Sequence, residues 1–212
     1  VEDVMILNTD ILFTEDIISP LHDFVHRHPE AGTASPLLRK PDGRIDSCCA
    51  RRVPRPEEMQ YTFSFIFSDK YRKALKENKY LESNPELAEL PFFEIQQPSG
   101  SCMYFRKDVL KAIGGFDPNT FLYYEEAILH ARIAAIGKVN YILPGISCIH
   151  VGGSTTNATK TSYFLKKCNY DSLVHYMKTY TDCTWWQLLY VKVTGTLLLT
   201  RMKIAGMIRS RK

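Results

Sequence analysis

The sequence alternates short apolar runs with segments of helical periodicity, and this alternation restricts the fold more than any other feature. Val4–Leu7 is a continuous apolar run, typical of a strand that is buried on both faces. Apolar residues at helical spacing follow over 17–25, where Thr14 is the expected N-cap and Pro29 the expected stop. Ala34–Leu38 then predicts another strand. The pattern predicts one α/β layered domain with a helical C-terminal extension.

The remaining elements follow from the same patterns. We expect, in chain order, an irregular loop over 44–60, a helix within 61–82, extended segments over Phe92–Gln97 and Ser101–Phe105, helices over Asp108–Ile113 and Phe121–Ile136, strands over Val139–Leu143 and Ile146–His150, and helices over Tyr163–Tyr180 and Thr184–Ile208. A strand as apolar as Val4–Leu7 needs neighbours on both sides, so we also expect sequence upstream of Val1.

Composition and charge limit the classes of protein and of binding partner that fit this chain. With 45% hydrophobic and 24% charged residues in 212, the chain has the composition of a globular protein. The net charge of +4 is concentrated in the tail from Lys192 to Lys212, which suits an anionic membrane surface or a nucleic acid. No basic stripe with interleaved aromatics marks the main body, so we expect no nucleic-acid partner. The six cysteines include no CxxC pair and predict free thiols in a reducing compartment.

Polar residues at the predicted strand ends are the first candidates for chemistry. Asn8 and Asp10 follow the first apolar strand, where ligands of open α/β sheets bind, and a carboxylate there suits a divalent cation. His150 ends the last strand beside Gly152-Gly153-Ser154, where it can bind a metal or face a phosphate. Each has an ordinary alternative, since Asn8 and Asp10 can simply form a turn and a lone histidine is often an unremarkable polar residue.

Two adjacent acids and one glycine complete the candidates. Glu125 and Glu126 stand behind Gly114-Gly115-Phe116-Asp117 and an aromatic run, at a helix start that favours negative charge. Adjacent helical residues point about 100° apart, so the two acids are not expected to share one role. They could equally be ordinary first-turn acids. Gly100 permits close approach of backbone to a ligand, or marks a bulge.

The order of these motifs resembles glycosyltransferase family 2, in particular its rhamnosyltransferase-like members that build bacterial surface polysaccharides. The resemblance extends over Val4 to Tyr180. It rests on three segments, which are LNTD, PSGSCMYFRKDVLKAIGGFDPNTFLYYEEAILHAR, and IH followed by GGS. It implies a GT-A fold, with a partial catalytic domain over residues 1–160 that holds the metal and acceptor side, and a C-terminal helical extension over 161–212. It also implies hexosyl transfer with inversion, from a nucleotide-sugar to a glycan or lipid-linked acceptor.

The resemblance also assigns roles by position. Asp10 with Asn8 matches the DXD-like motif that binds Mn²⁺ or Mg²⁺ and the donor diphosphate, and His150 matches the histidine that completes the metal site. Glu126 matches the general base and Glu125 its supporting acid. Gly100 falls in the acceptor-side loop and Arg132 on the helix behind the acids, both as donor- or acceptor-binding residues. The implied location is the cytoplasm, at the inner face of the cytoplasmic membrane.

The chain departs from the family pattern in two places. The family usually has Asp at the second acid and another Asp two residues later, where this chain has Glu126 and Ile128. The N-terminal half-sheet that holds the nucleobase and ribose has no counterpart here. A non-catalytic GT-A-like fragment that binds a glycan or partner therefore stands as the alternative function.

The last predicted helix has its own alternatives. Trp185, Trp186 and the apolar residues after them recur at nearly helical spacing with interspersed basic residues, which fits a helix in a membrane interface. The same pattern fits a helix packed on the domain or on another subunit. Lys192 and Gly195 interrupt the apolar run of 184–200, so a membrane-spanning helix is not expected.

Overall fold

A computed structural model describes residues 3–152 and 162–209 of the chain. Its strands are β1 (Asp3–Leu7), β2 (Ile11–Phe13), β3 (Ala31–Arg39), β4 (Ala50–Arg51), β5 (Phe93–Ile95), β6 (Gln97–Pro98), β7 (Cys102–Arg106) and β8 (Val139–His150). Its α-helices are α1 (Ile18–Arg27), α2 (Pro56–Met59), α3 (Ser68–Glu77), α4 (Tyr80–Ser83), α5 (Lys107–Ala112), α6 (Glu125–Ala135), α7 (Ser162–Tyr180) and α8 (Trp185–Arg209). Short 3-10 helices cover Ser47–Cys49 and Pro85–Glu89.

Among the described residues, the strands form one mixed sheet and one small ribbon. The sheet has six strands in the order β1-β7-β3-β8-β2, with β5 also paired to β8, and the ribbon joins β4 to β6. The pairing of β3 with β8 is parallel, whereas β1 with β7, β3 with β7 and β2 with β8 are antiparallel. This mixed sheet with helices, followed by two C-terminal helices, confirms the predicted α/β fold class.

The Cα positions group the chain into two compact units. The first consists of residues 1–53, 77–117 and 125–155, and includes the mixed sheet. The second consists of residues 54–76, 118–124 and 156–212. The predicted boundary at residue 160 stays a prediction, and two earlier segments of the chain group with the C-terminal residues.

The core of the first unit lies on both faces of its sheet, because β7 alternates its side chains between them. Cys102 and Tyr104 of β7 belong to a cluster with residues of α1, β3 and β8. Met103 and Phe105 belong to another cluster, with Leu129 of α6. Both faces of β7 are thus covered, which is why the strand has an almost unbroken apolar sequence.

Strand β2 was not predicted, the predicted loop over 44–60 contains β4 and α2, and the stretch predicted to be helical over 61–82 contains the separate helices α3 and α4. Four further details differ from the sequence predictions. Strand β1 is only partly buried and, among the described residues, pairs with β7 alone, so the expectation of full burial was wrong. Helix α1 is capped by Asp16 rather than Thr14, because the Asp16 carboxylate accepts hydrogen bonds from the backbone N–H groups of Ile18 and Ser19 at 3.0 and 3.1 Å.

The other two concern the second half of the chain. Strand β8 continues through Pro144-Gly145, where its pairing with β3 shifts register. The predicted helix Phe121–Ile136 begins only at Glu125, because Tyr123 and Tyr124 have φ angles of +70° and +65°, outside the helical region.

All six cysteines are free thiols in the structure, and the predicted reducing compartment stays a prediction. No helix in residues 3–152 and 162–209 combines the length and the apolar character needed to cross a membrane.

Candidate active site

The turn between β1 and β2 brings three predicted residues to one edge of the sheet. Strand β1 ends opposite Cys102 of β7, and β2 begins opposite His150 of β8. Asn8 in the turn bonds Ser101 twice, through backbone N to backbone O at 3.0 Å and through Nδ2 to Oγ at 3.1 Å. The carbonyl of Asp10 accepts from the backbone N of Val151 at 3.0 Å. The turn therefore brings Asn8 into contact with Ser101 and Asp10 to the end of β8, and the roles predicted for these residues stay predictions.

His150 is held between two carboxylates. Its Nδ1 lies 3.0 Å from Oδ2 of Asp46, and its Nε2 lies 3.8 Å from Oδ2 of Asp10 and 3.2 Å from Oγ of Ser101. Because a carboxylate only accepts, Nδ1 donates to Asp46, and Nε2 is the ring nitrogen on the side of Asp10 and Ser101. Burial alone would raise the pKa of Asp46, but hydrogen bonds from His150 and from the backbone N–H of Cys48 bring it below its usual value.

The arrangement suits a divalent cation. A carboxylate on the far nitrogen of a ligating histidine is the usual outer partner of a metal-bound imidazole, and Asp46 has that position. Asp10 Oδ2 and His150 Nε2 would be the protein ligands, and substrate oxygens would be needed to complete the coordination. The sequence analysis missed Asp46, because nothing in the sequence links it to a histidine 104 residues away. Gly153 and Ser154, also part of the predicted motif, lie outside the described residues.

Glu126 lies against the Gly100 loop. Its Oε1 accepts a hydrogen bond from the backbone N of Gly100 at 3.1 Å and lies 3.7 Å from a guanidinium nitrogen of Arg51. Its side chain is 16% exposed. A Cβ added at Gly100 would lie 3.0 Å from the same Oε1, so the glycine permits the close approach. The close approach at Gly100 is to the Glu126 carboxylate, and its predicted approach to a ligand stays a prediction. Arg51 is a residue that the sequence analysis missed.

Glu125 has a different environment from its neighbour. Burial raises the pKa of Glu125 to about 7, the charge of Glu126 adds to the increase, and Arg51 partly opposes it. Its Oε2 is buried and has no hydrogen-bond partner among the described residues. Tyr123 and Tyr124, just before Glu125, have backbone φ angles in the left-handed region. Non-glycine residues in this region are strained and cluster at functional sites.

Both acids line one small cavity in the first compact unit. The cavity has a volume of about 160 Å³, and its lining residues are Ile6, Asn8, Gly100, Ser101, Met103, Phe116, Glu125 and Glu126. Four predicted site residues therefore share one cavity. Asp10 and His150 are connected to it through Ser101.

The predicted role of Arg132 in binding donor or acceptor stays a prediction. Its contacts are with the turn that precedes helix α6. Its guanidinium donates to the backbone O of Gly115 at 2.9 Å and lies 3.3 Å from Oδ2 of Asp117, whose side chain is 2% exposed. Arg132 thus links the Gly114–Asp117 turn to helix α6 by a hydrogen bond and an ion pair. This turn carries Phe116 to the cavity.

Comparisons with known proteins give relatives of one kind. No family model matches the sequence. The N-acetylglucosaminyl-diphospho-decaprenol L-rhamnosyltransferases of Mycobacterium tuberculosis strains CDC 1551 / Oshkosh and H37Rv are each 26% identical over 160 residues, which is 76% of this chain and 50% of theirs. The chain thus spans about half the length of the curated relatives it matches.

A solved structure is also similar, that of the mannosyltransferase PcManGT from Pyrobaculum calidifontis in complex with GDP-Man and Mn2+. It has a TM-score of 0.45 and 15% identity, with 97% of this chain and 56% of that one covered. The sequence relatives confirm the resemblance that the motifs predicted, since they are rhamnosyltransferases.

Proposed function

We propose that this rhamnosyltransferase-like chain is the catalytic, acceptor-side part of an inverting, metal-dependent glycosyltransferase. It moves a sugar from a nucleotide-sugar to a lipid-linked or glycan acceptor in the synthesis of a bacterial surface polysaccharide. The observation that carries the proposal is the dipeptide Gly100-Ser101. The backbone N of Gly100 binds the carboxylate of Glu126, and Oγ of Ser101 contacts both Asn8 and His150. The candidate base Glu126 and one candidate metal ligand, His150, therefore contact two consecutive residues, and the other candidate ligand, Asp10, lies 3.8 Å from His150.

The donor side of the proposed site is formed by Asp10 and His150. A divalent cation bound there supplies charge that neutralises the leaving diphosphate. Asp46 holds the imidazole so that Nε2 stays an acceptor. Asn8 orients the hydroxyl of Ser101 toward that nitrogen by donating to its oxygen.

The acceptor side is the cavity in front of the two acids. Glu126 takes the proton of the acceptor hydroxyl while that oxygen attacks the anomeric carbon from the face opposite the diphosphate. The N–H of Gly100 and the guanidinium of Arg51 both contact Oε1 of Glu126 and orient its carboxylate. Glu125, with its raised pKa, retains a proton more readily, so the adjacent acids do not both need to be charged. A single displacement of this kind gives inversion without a covalent enzyme intermediate.

A lipid-linked acceptor places the reaction at a membrane surface, and helix α8 in the second unit offers the contact. Trp185 and Trp186 are 62% and 63% exposed, and Leu189, Val193 and Leu197 continue an exposed apolar stripe at intervals of four residues. Apolar residues with basic neighbours are typical of helices that lie in a membrane interface. The inner face of the cytoplasmic membrane is the location that fits a nucleotide-sugar donor.

Titration calorimetry with a panel of nucleotide-sugars, with and without Mn²⁺, tests the proposal. We expect metal-dependent binding that is lost in Asp10→Ala and retained in Asp42→Ala, because Asp42 lies in an exposed turn and forms an ion pair with Arg44. Metal-independent binding, or unchanged binding by Asp10→Ala, would contradict the metal assignment. A folded chain that binds a glycan acceptor but no nucleotide-sugar would favour the alternative, a non-catalytic binding module.

A further inference from the structure

A second group of metal-ligand side chains lies at the other end of β1. Asp3 begins this strand, and His22 and His26 lie one turn apart on α1. The strand rises about 3.3 Å per residue, so Asp3 and Asn8 are separated by roughly 16 Å. The group is therefore spatially distinct from the candidate active site.

The three side chains converge on one point. The Nε2 atoms of His22 and His26 lie 3.6 and 3.0 Å from Oδ2 of Asp3, and one ligand atom from each residue falls within 4.8 Å of the others. Two ligands that are each about 2.0–2.1 Å from a tetrahedral ion are separated by about 3.4 Å. The observed separations bracket this value, so an ion can enter with only small side-chain movements.

Hydrogen-bond and ion-pair partners orient the side chains of His22 and Asp3, as such partners orient the ligands in known metal sites. Nδ1 of His22 lies 3.5 Å from a carboxylate oxygen of Asp23, which leaves Nε2 to act as a ligand. The hydroxyl of Tyr104 donates to Oδ2 of Asp3 at 3.0 Å. Burial and this hydrogen bond raise the pKa of Tyr104 to about 12, so the hydroxyl remains a donor.

One oxygen of the buried Asp3 carboxylate is unsatisfied, whereas the contacts of His22, His26 and Tyr104 are all with the other oxygen, Oδ2. The side chain of Asp3 is 9% exposed, and its Oδ1 is buried without a hydrogen-bond partner among the described residues. Arg106 pairs with Asp3 in the sheet, but its guanidinium is bonded to Asp108. A buried carboxylate is costly unless it is paired or coordinates a metal.

We propose that Asp3, His22 and His26 bind a divalent transition-metal ion of the zinc class. Two imidazoles and one carboxylate favour zinc over magnesium or calcium, which prefer all-oxygen sites. Water completes the coordination, since the histidines are 47% and 38% exposed. The ion joins β1, at the edge of the described sheet, to helix α1, so its role is structural.

The test is a zinc titration of the whole chain in competition with a chromophoric chelator, with the free thiols alkylated first. Variants are His22→Ala, His26→Ala and Asp3→Asn. His28→Ala is the matched control, because His28 follows the same helix and pairs with Glu30 at 2.9 Å, away from Asp3. We expect one equivalent of zinc in the unsubstituted chain and in the control, and an affinity at least about tenfold lower in each ligand variant.

A second readout separates binding from loss of fold. Zinc should raise the unfolding temperature of the unsubstituted chain and of His28→Ala, but not of His26→Ala. A cooperative unfolding transition in EDTA shows that a variant is folded without zinc. Because His22 and His26 are partly exposed, their substitution should leave the chain folded even if Asp3→Asn does not. The proposal is overturned if the unsubstituted chain binds no zinc after alkylation, or if folded His22→Ala and His26→Ala bind it as tightly as the control.

Discussion

At the scale of single residues, Glu125 and Glu126 are neighbours in sequence with opposite surroundings. Glu126 faces an N–H group and a guanidinium, whereas Glu125 is buried with one oxygen unpartnered. Adjacent residues on a helix point in different directions, so the two acids have different neighbours, and only Glu125 is surrounded in a way that raises its pKa. This difference leads to two separate predictions.

Replacing Glu126 by Gln should lower turnover by on the order of 100-fold, because the amide cannot accept the acceptor's proton. The fold should persist, since the amide oxygen can still accept from the N–H of Gly100. Single-turnover rates with saturating nucleotide-sugar and acceptor measure the effect. Glu86→Gln, on an exposed acid, is the control and should keep full activity. Near-normal turnover in Glu126→Gln would remove this residue from the role of base.

Replacing Glu125 by Gln should change how stability depends on pH. The folded-state pKa of about 7 exceeds the reference value of 4.5, so the folded chain binds the proton more tightly than the unfolded chain does. Stability from this group is therefore fully present below about pH 4.5 and is lost as pH rises through 7. The loss amounts to at most about 3 kcal/mol.

Urea unfolding at pH 5 and pH 8 measures this difference. The unsubstituted chain should lose more stability between the two pH values than Glu125→Gln, which has no carboxyl to ionise at that position. Comparing the two chains cancels the contribution of every other titrating group. Equal losses would mean that Glu125 does not titrate with a raised pKa.

At the scale of elements, helix α6 and the turn before it act as one unit through Arg132. Gly114 and Gly115 both have φ of +71°, which allows the tight turn after α5. The guanidinium of Arg132 then fastens that turn through Gly115 and the buried Asp117. Phe116, between them, reaches the cavity.

Arg132→Met should lower the free energy of unfolding by on the order of 3 kcal/mol, because it removes the cation beside a buried carboxylate. Adding Asp117→Asn should recover part of this loss. Arg27→Met is the matched control, since Arg27 is 76% exposed in its pair with Asp23 and should cost less than about 1 kcal/mol. Urea unfolding of the four chains measures these values. A loss in Arg132→Met as small as in the control would contradict the fastening role.

At the scale of the whole molecule, the question is how the chain meets its acceptor. Helix α8 packs within the second unit through Gly195, where a Cβ would lie 2.3 Å from the ring of Tyr170. Its apolar stripe from Trp185 to Leu197 remains exposed. The sequence left packing on the protein and membrane contact as alternatives for this helix. The face with Gly195 packs on Tyr170, and the face from Trp185 to Leu197 is available for a membrane.

Trp185→Ala with Trp186→Ala should weaken binding to anionic lipid vesicles at least about tenfold, because the exposed rings provide apolar area for the interface. Co-sedimentation with vesicles of phosphatidylglycerol and phosphatidylcholine measures it. Ile18→Ala with Leu90→Ala removes similarly exposed apolar residues outside α8 and should leave binding unchanged. Equal binding of all three chains would exclude this surface as the contact.

The sequence by itself determined the elements and most of the candidate residues. Apolar runs and helical periodicity predict strands and helices because the side-chain period of each is local, and the ends of those elements locate Asn8, Asp10, Gly100 and His150. Ligands of open α/β sheets bind beyond the carboxyl ends of strands, which made Asn8 and Asp10 candidates. The family resemblance, rather than these positions, implied that Asp10 and His150 share one metal site.

Only the tertiary structure decided which distant groups complete the sites. Asp46 and Arg51 come from a loop without periodic signal, and they approach His150 and Glu126 through the fold of the chain. Asp3 meets His22 and His26 because α1 passes along the sheet near the start of β1. The environments that separate Glu125 from Glu126 are likewise set by burial and by neighbouring charges. These depend on packing across long sequence distances, which no local pattern encodes.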